Sequence, residues 1–88
     1  MFSNPIIASV KMAVEYTGHA LSRMRQRKIS KRMVYDALKR PDLSFVTRRG
    51  RVASLKRHGD KILKVISEKS NDKIWVVTVY WTRRIKKW

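Results

Sequence analysis

SFVTRRGRVASLKRHGDKILKVISEKSNDKIWVVTVYW, residues 44–81, is a series of short apolar stretches cut by turn residues. The pieces SFVTR, RVASLKR, KILKVISE and KIWVVTVYW are rich in the β-branched and aromatic residues of strands, and the RG, HGD and KSND between them suit tight turns. This grammar predicts an antiparallel meander of about four strands. Strict alternation in the last strand would set Trp75, Val77, Val79 and Trp81 on one face and Ile74, Val76, Thr78 and Tyr80 on the other. Both faces are apolar enough to want cover, and their aromatics are expected in the core.

Upstream of the meander the periodicity turns helical. Thr17 suits an N-cap, because its hydroxyl can accept from an orphan amide of the first turn, with Tyr16 and Leu21 placed as a hydrophobic staple. A helix is predicted from there to about Lys28. Ser30 repeats the device with Ile29 and Val34, and Met33, Val34, Ala37 and Leu38 form the stripe of a second helix, which Pro41 stops. Before the first helix, Ile6, Ala8, Val10, Met12, Val14 and Tyr16 alternate with more polar neighbours and predict a strand over 10–16. Ile6, Ile7, Val10, Ala13 and Val14 satisfy a helical spacing as well.

The expected fold is therefore α+β: two N-terminal helices packed on an antiparallel sheet of about four strands, with room for an added N-terminal strand. Two helices can cover one side of such a sheet, so the other side is expected to be a binding surface or an oligomer interface. With 88 residues and no repeat or linker, the chain is expected to form a single domain. Residues 1–9 are set apart as an N-terminal segment and 83–88 as a basic tail.

Twenty-two Lys and Arg against six Asp and Glu give a formal charge of +16, spread along the whole chain. Six acids cannot weave so many bases into ion-pair networks, so the surface is expected to attract a polyanion or an acidic protein. Cysteine is absent, which excludes disulfides and thiolate metal sites. Without a run of about 20 apolar residues, and with no basic region ahead of the apolar N-terminal residues, neither a membrane partner nor an export signal is expected. A cytoplasmic protein is the expectation.

The stretch TGHALSRMRQRKIS, residues 17–30, concentrates the candidate chemistry. At about 100° per residue, His19, Arg23 and Arg27 run along one shoulder of the helix, beside the apolar arc of Ala20 and Met24. Cleaving RNA without metal needs a base for the 2′-hydroxyl, an acid for the leaving oxygen and cations for the transition state. His19 supplies the base by type, Arg23 and Arg27 the cations, and Tyr80 or Lys64 on the strands are candidates for the acid. No metal or other cofactor is expected: His19 and His58 lie on different elements, and the acids form no ligand spacing. His58, in RHGD, is expected as a turn residue.

His19, Ala20, Leu21, Arg23, Met24 and Arg27 spell H-A-L-x-R-M-x-x-R, followed by Ile29-Ser30 and by V-V-T-V-Y at 76–80. These words resemble a widespread family of small prokaryotic domains of unknown function, placed beside the BrnT and RelE-like toxins among metal-independent ribonuclease folds. The resemblance spans roughly Val14 to Tyr80. It implies two helices against a sheet of about four strands, and a ribonuclease activity centred on His19, with Arg23, Arg27, Thr78 and Tyr80 nearby. An acidic antitoxin lying across the exposed sheet face would be the partner. The chain departs from the pattern in its added segment, Met1 to Met12, and in its heavier basic charge. Both departures leave room for a non-catalytic nucleic-acid binder in which Arg23, Arg27, Arg48, Arg49, Arg51, Lys56 and Arg57 track the phosphates, RNA being expected ahead of DNA.

Overall fold

The computed structural model of the protein describes residues 13–70 and 72–83. The chain runs β1 (Ala13–Tyr16), α1 (Gly18–Arg27), α2 (Lys31–Lys39), β2 (Leu43–Val46), β3 (Val52–His58), β4 (Lys61–Ser70) and β5 (Lys73–Thr82). Both helices start where their caps predict. The Thr17 hydroxyl accepts from the Ala20 amide at 3.0 Å, and the Ser30 hydroxyl from that of Met33 at 3.2 Å. Ile29 and Val34 are buried as a staple should be, whereas Leu21, the expected partner of Tyr16, stays 37% exposed.

Helix α1 ends in a Schellman motif. The Ile29 amide donates to the Met24 carbonyl at 2.8 Å and the Lys28 amide to that of Arg25 at 3.4 Å, while Met24 and Ile29 meet in the core. Lys28 occupies the left-handed position at φ 57°, where a side chain is strained and glycine is favoured. Lys28→Gly is therefore expected to stabilise the fold by about 0.5–1 kcal/mol, raising the thermal midpoint by several degrees in a scanning calorimeter. An unchanged or lower midpoint would mean that Lys28 makes up for its strain through contacts of its own.

The five strands form one sheet in the order β1-β5-β4-β3-β2. The meander β2–β5 is antiparallel as expected, and the glycines of its first two turns, Gly50 and Gly59, take φ 79° and 66°. The added strand alters the class of the sheet. β1 pairs parallel with β5, Val14 opposite Ile74 and Tyr16 opposite Val76, so the sheet is mixed instead of antiparallel. β1 lies within the predicted 10–16; the alternation before Ala13 and the tail beyond Arg83 fall outside the described residues.

A β-bulge corrects the reading of β5. Ile66 pairs with Thr78, but Ser67 pairs with Val76, which leaves Val77 as the extra residue. The inserted residue flips the alternation. Ile74 and Val76 before it share the helical side with Val79 and Trp81 after it, all four packing into the main core. Trp75 is thereby moved to the opposite side, with Thr78, Tyr80 and Thr82. The main core joins Ala20, Met24, Ile29, Val34, Ala37 and Leu38 of the helical layer to Leu63, Val65, Ile74, Val76 and Val79 of the sheet. Across the sheet a second, smaller cluster gathers Ala53, Leu55 and Ile62, with Phe45 and Ile66 against it.

Where β1 stops, α1 takes over the outer edge of β5. The Thr17 amide donates to Val76 O at 3.1 Å and its hydroxyl to Val77 O at 3.1 Å. At the other end of the helix, Arg27 Nη1 donates to Val79 O at 3.4 Å and Trp81 Nε1 to Arg27 O at 3.3 Å. Four bonds to β5 thus fix the helix at both ends, on the side of the sheet that carries the main core.

Candidate functional site

The residues assembled from sequence as one catalytic group divide between two sides of the sheet. His19, in the first turn of α1, is exposed and makes no hydrogen bond to another described residue. Arg23 is half-buried and donates to Gln26 Oε1 at 3.0 Å, while Arg27 is engaged with β5. Lys64 and Tyr80 are cross-strand partners, and both stand on the face opposite the helices. With the sheet between them, His19 and the Lys64–Tyr80 pair do not face a common cleft. Single-residue alternation, uninterrupted by the bulge, would also have put Tyr80 among the core residues Ile74 and Val76.

What the structure does bring together lies on the open face. Lys64 sets its ammonium 5.5 Å from the centre of the Tyr80 ring and 5.8 Å from that of Phe45, within cation–π range of both. Both rings are half-buried, as are Thr78, two residues before Tyr80, and the Lys64 side chain itself. Arg57, exposed on the same face, continues the strip toward the β3–β4 turn, and exposed Arg48 and Arg49 stand in the β2–β3 turn. The far end of the face differs in charge. There Trp75 lies between Glu68 on β4 and Glu15 on β1.

Two of the expected phosphate-binding residues are engaged elsewhere. Lys56 projects to the helical side, where its ammonium donates to the Arg40 carbonyl at 2.9 Å and lies 3.9 Å from the Asp36 carboxylate. It neutralises the C-terminus of α2, a structural task for a cation. Arg51 pairs with Glu68 at 3.2 Å in an exposed bridge of small energetic worth.

Next to the strip is a concavity of about 220 Å³ lined by Asp42, Leu55, Arg57 and Ile62. Leu55 and Ile62 form a buried apolar floor, and Asp42 is held in place through Oδ2, which accepts from the Arg57 amide at 2.8 Å. Sequence reasoning found Arg57 and missed the other three. The only signal was that Asp42 follows the helix-stopping Pro41, which marks a turn and not a site.

His58 is not a turn residue. It closes β3, half-buried, with its ring edge-on to Trp81 at 5.8 Å and its buried Nε2 without a hydrogen-bond partner. Lys61 lies over the other aromatic contact of that corner, 5.5 Å from the Trp81 ring. Tyr16, beneath Lys31 at 5.2 Å, has its phenol raised above the ordinary value by burial, so it stays protonated at neutral pH. No helix of the described residues is long and apolar enough to cross a membrane.

The model of a protein family described as a domain of unknown function, DUF4258, matches residues 16–81, from the end of β1 through both helices and into β5. This agrees with the resemblance to small domains of unknown function. No curated protein and no solved structure matches the chain.

Proposed function

Because this chain belongs to the DUF4258 family, whose function is unknown, we propose its role from its own surface: a nucleic-acid-binding domain that holds single-stranded RNA across the open sheet face. The carrying observation is Lys64, whose ammonium stands beside two partly exposed rings on a face that the helices leave uncovered. Bases stack on rings whatever their sequence, and a neighbouring ammonium meets the phosphate between them. Arg57, Arg48 and Arg49 extend the positive strip in both directions, and the +16 charge draws the polyanion in from a distance. A flat face with rings suits splayed single-stranded bases better than a duplex, which is entered by a helix or ribbon in its major groove.

A narrower reading is a RelE- or BrnT-like endoribonuclease toxin, with an acidic antitoxin covering the same face. The observation in its favour is the juxtaposed phenol of Tyr80 and ammonium of Lys64, both groups able to move a proton at a phosphate. His19 and Arg23 take no part in that arrangement. Fluorescence anisotropy with a labelled single-stranded RNA, repeated over a salt series in EDTA, separates the readings. Binding is expected to weaken with a log–log slope of about −0.7 for each phosphate held, and the RNA to be recovered whole. Cleavage products that vanish in Tyr80→Phe would establish the toxin reading. Absence of salt-dependent binding would rule out both.

A further inference from the structure

The Asp42 concavity lies on the same face as Lys64, and Leu55 of its floor is Lys64's direct cross-strand partner. Lysine and pocket are thus one strand apart, about 4.8 Å. Asp42 sets a carboxylate beside the basic strip, where it repels a phosphate but can accept from the N–H donors of a base. The volume supports the same division. At about 220 Å³ it falls below the roughly 300–1,000 Å³ of sites for drug-sized ligands, on the scale of a single ring system.

We infer that the hollow formed by Asp42, Leu55, Arg57 and Ile62 is a guanine-selective subsite, taking one unstacked base of the RNA held along the open face. The inference rests on the RNA-binding reading above and adds a specificity that the stacking rings cannot give. An ionised carboxylate only accepts hydrogen bonds. Guanine is the base whose Watson–Crick edge sets two donors side by side, the N1–H and the 2-amino group, to meet two carboxylate oxygens. Adenine and cytosine place a ring acceptor beside their amino group, and uracil flanks its one N–H with two carbonyls, so each turns at least one lone pair toward Asp42. The bond from the Arg57 amide to Oδ2 fixes the carboxylate's orientation before the base arrives and leaves further lone pairs for it. Ile62, backed by the fully buried Leu55, makes the hollow's inner side apolar. The Arg57 guanidinium, at the rim, is suited to the 6-oxo and N7 acceptors or to the adjoining phosphate.

The test compares uridine octamers carrying one central guanosine, inosine, adenosine or cytidine, titrated against the whole protein by anisotropy. The guanosine octamer is expected to bind about tenfold tighter than the adenosine and cytidine ones, the discrimination commanded by a bidentate contact. Inosine lacks the 2-amino donor and is expected to lose most of that advantage. Asp42→Asn keeps an oxygen for the Arg57 amide but replaces the second acceptor by a donor. It is expected to abolish the guanosine preference while leaving the thermal midpoint unchanged and all-uridine binding as tight or slightly tighter, since one negative charge is gone from the phosphate-binding face. Equal affinity for all four octamers overturns the subsite and leaves the RNA-binding reading intact; an inosine octamer bound as tightly as the guanosine one removes Asp42 as the reader. Failure to bind any of them overturns both.

Discussion

Leu63→Ala is expected to destabilise the fold by about 2–5 kcal/mol, a large share of the roughly 5–15 kcal/mol that holds a small domain together. Leu63 is fully buried on β4, between Lys56 of β3 and Trp81 of β5, with its side chain in the main core shared by both helices. Truncation there removes the transfer energy of three carbons and leaves a void that a sheet hydrogen-bonded on both sides cannot close. Chemical denaturation reads the loss as a lower midpoint at unchanged slope. A loss under about 1 kcal/mol would contradict the tight packing of the helical layer on β4. RNA affinity of the fraction still folded should not change, because Leu63 faces away from the open side.

Its neighbour in sequence has the reverse character. Lys64→Ala combined with Tyr80→Ala is expected to weaken single-stranded RNA binding by about 10- to 300-fold while leaving the midpoint within a few degrees of its original value. One base stacked on Tyr80 contributes about 1–3 kcal/mol, and the phosphate contact of Lys64 is lost with it. The salt slope should fall by about 0.7 for the one phosphate released. Stability is spared because both side chains are half-exposed and neither belongs to a buried cluster. His19→Ala is expected to do nothing in the same assay. If the double variant bound RNA unchanged while Arg23→Ala lost it, the binding surface would be the helix shoulder and not the sheet.

Much of this architecture was legible because it is written in local chemistry. Caps at Thr17 and Ser30, the stop at Pro41 and the glycine turns depend on residues within a few positions of each other, and the structure has them where the sequence puts them. The failures are nonlocal. Nothing near Val77 announces a bulge: no glycine stands there, and an extra residue in one strand is visible only against the partner it fails to match. That one residue turns both Trp75 and Thr78 away from the helices, where unbroken alternation would have left one of them facing in. The parallel pairing of β1 with β5 is equally silent, since a period-two pattern reports alternate faces and not the direction of a neighbour. The candidate site depends on the same two features. The helical shoulder of His19, Arg23 and Arg27 follows from angles about a single helix axis, whereas the Lys64–Tyr80–Phe45 group and the Asp42 hollow depend on cross-strand register. Lys56 has its task only from Asp36 on the helix packed above it and from Arg40 just past that helix's end, neither of them near it in sequence.

The anchoring of α1 carries a further consequence, for the order in which the molecule assembles. Thr17 binds Val77, 60 positions later, and Arg27 and Trp81 are tied across 54. A nascent chain emerging from the ribosome therefore holds its first strand and helix without a dock until nearly the last residue of the matched family region is synthesised. Such distant closures are slow because the loop entropy is lost before the contacts form. Premature termination ahead of Lys73 would leave β1 with no neighbour and α1 with no edge to cover, so a truncated product is expected to be removed by proteases instead of persisting as a half-folded domain.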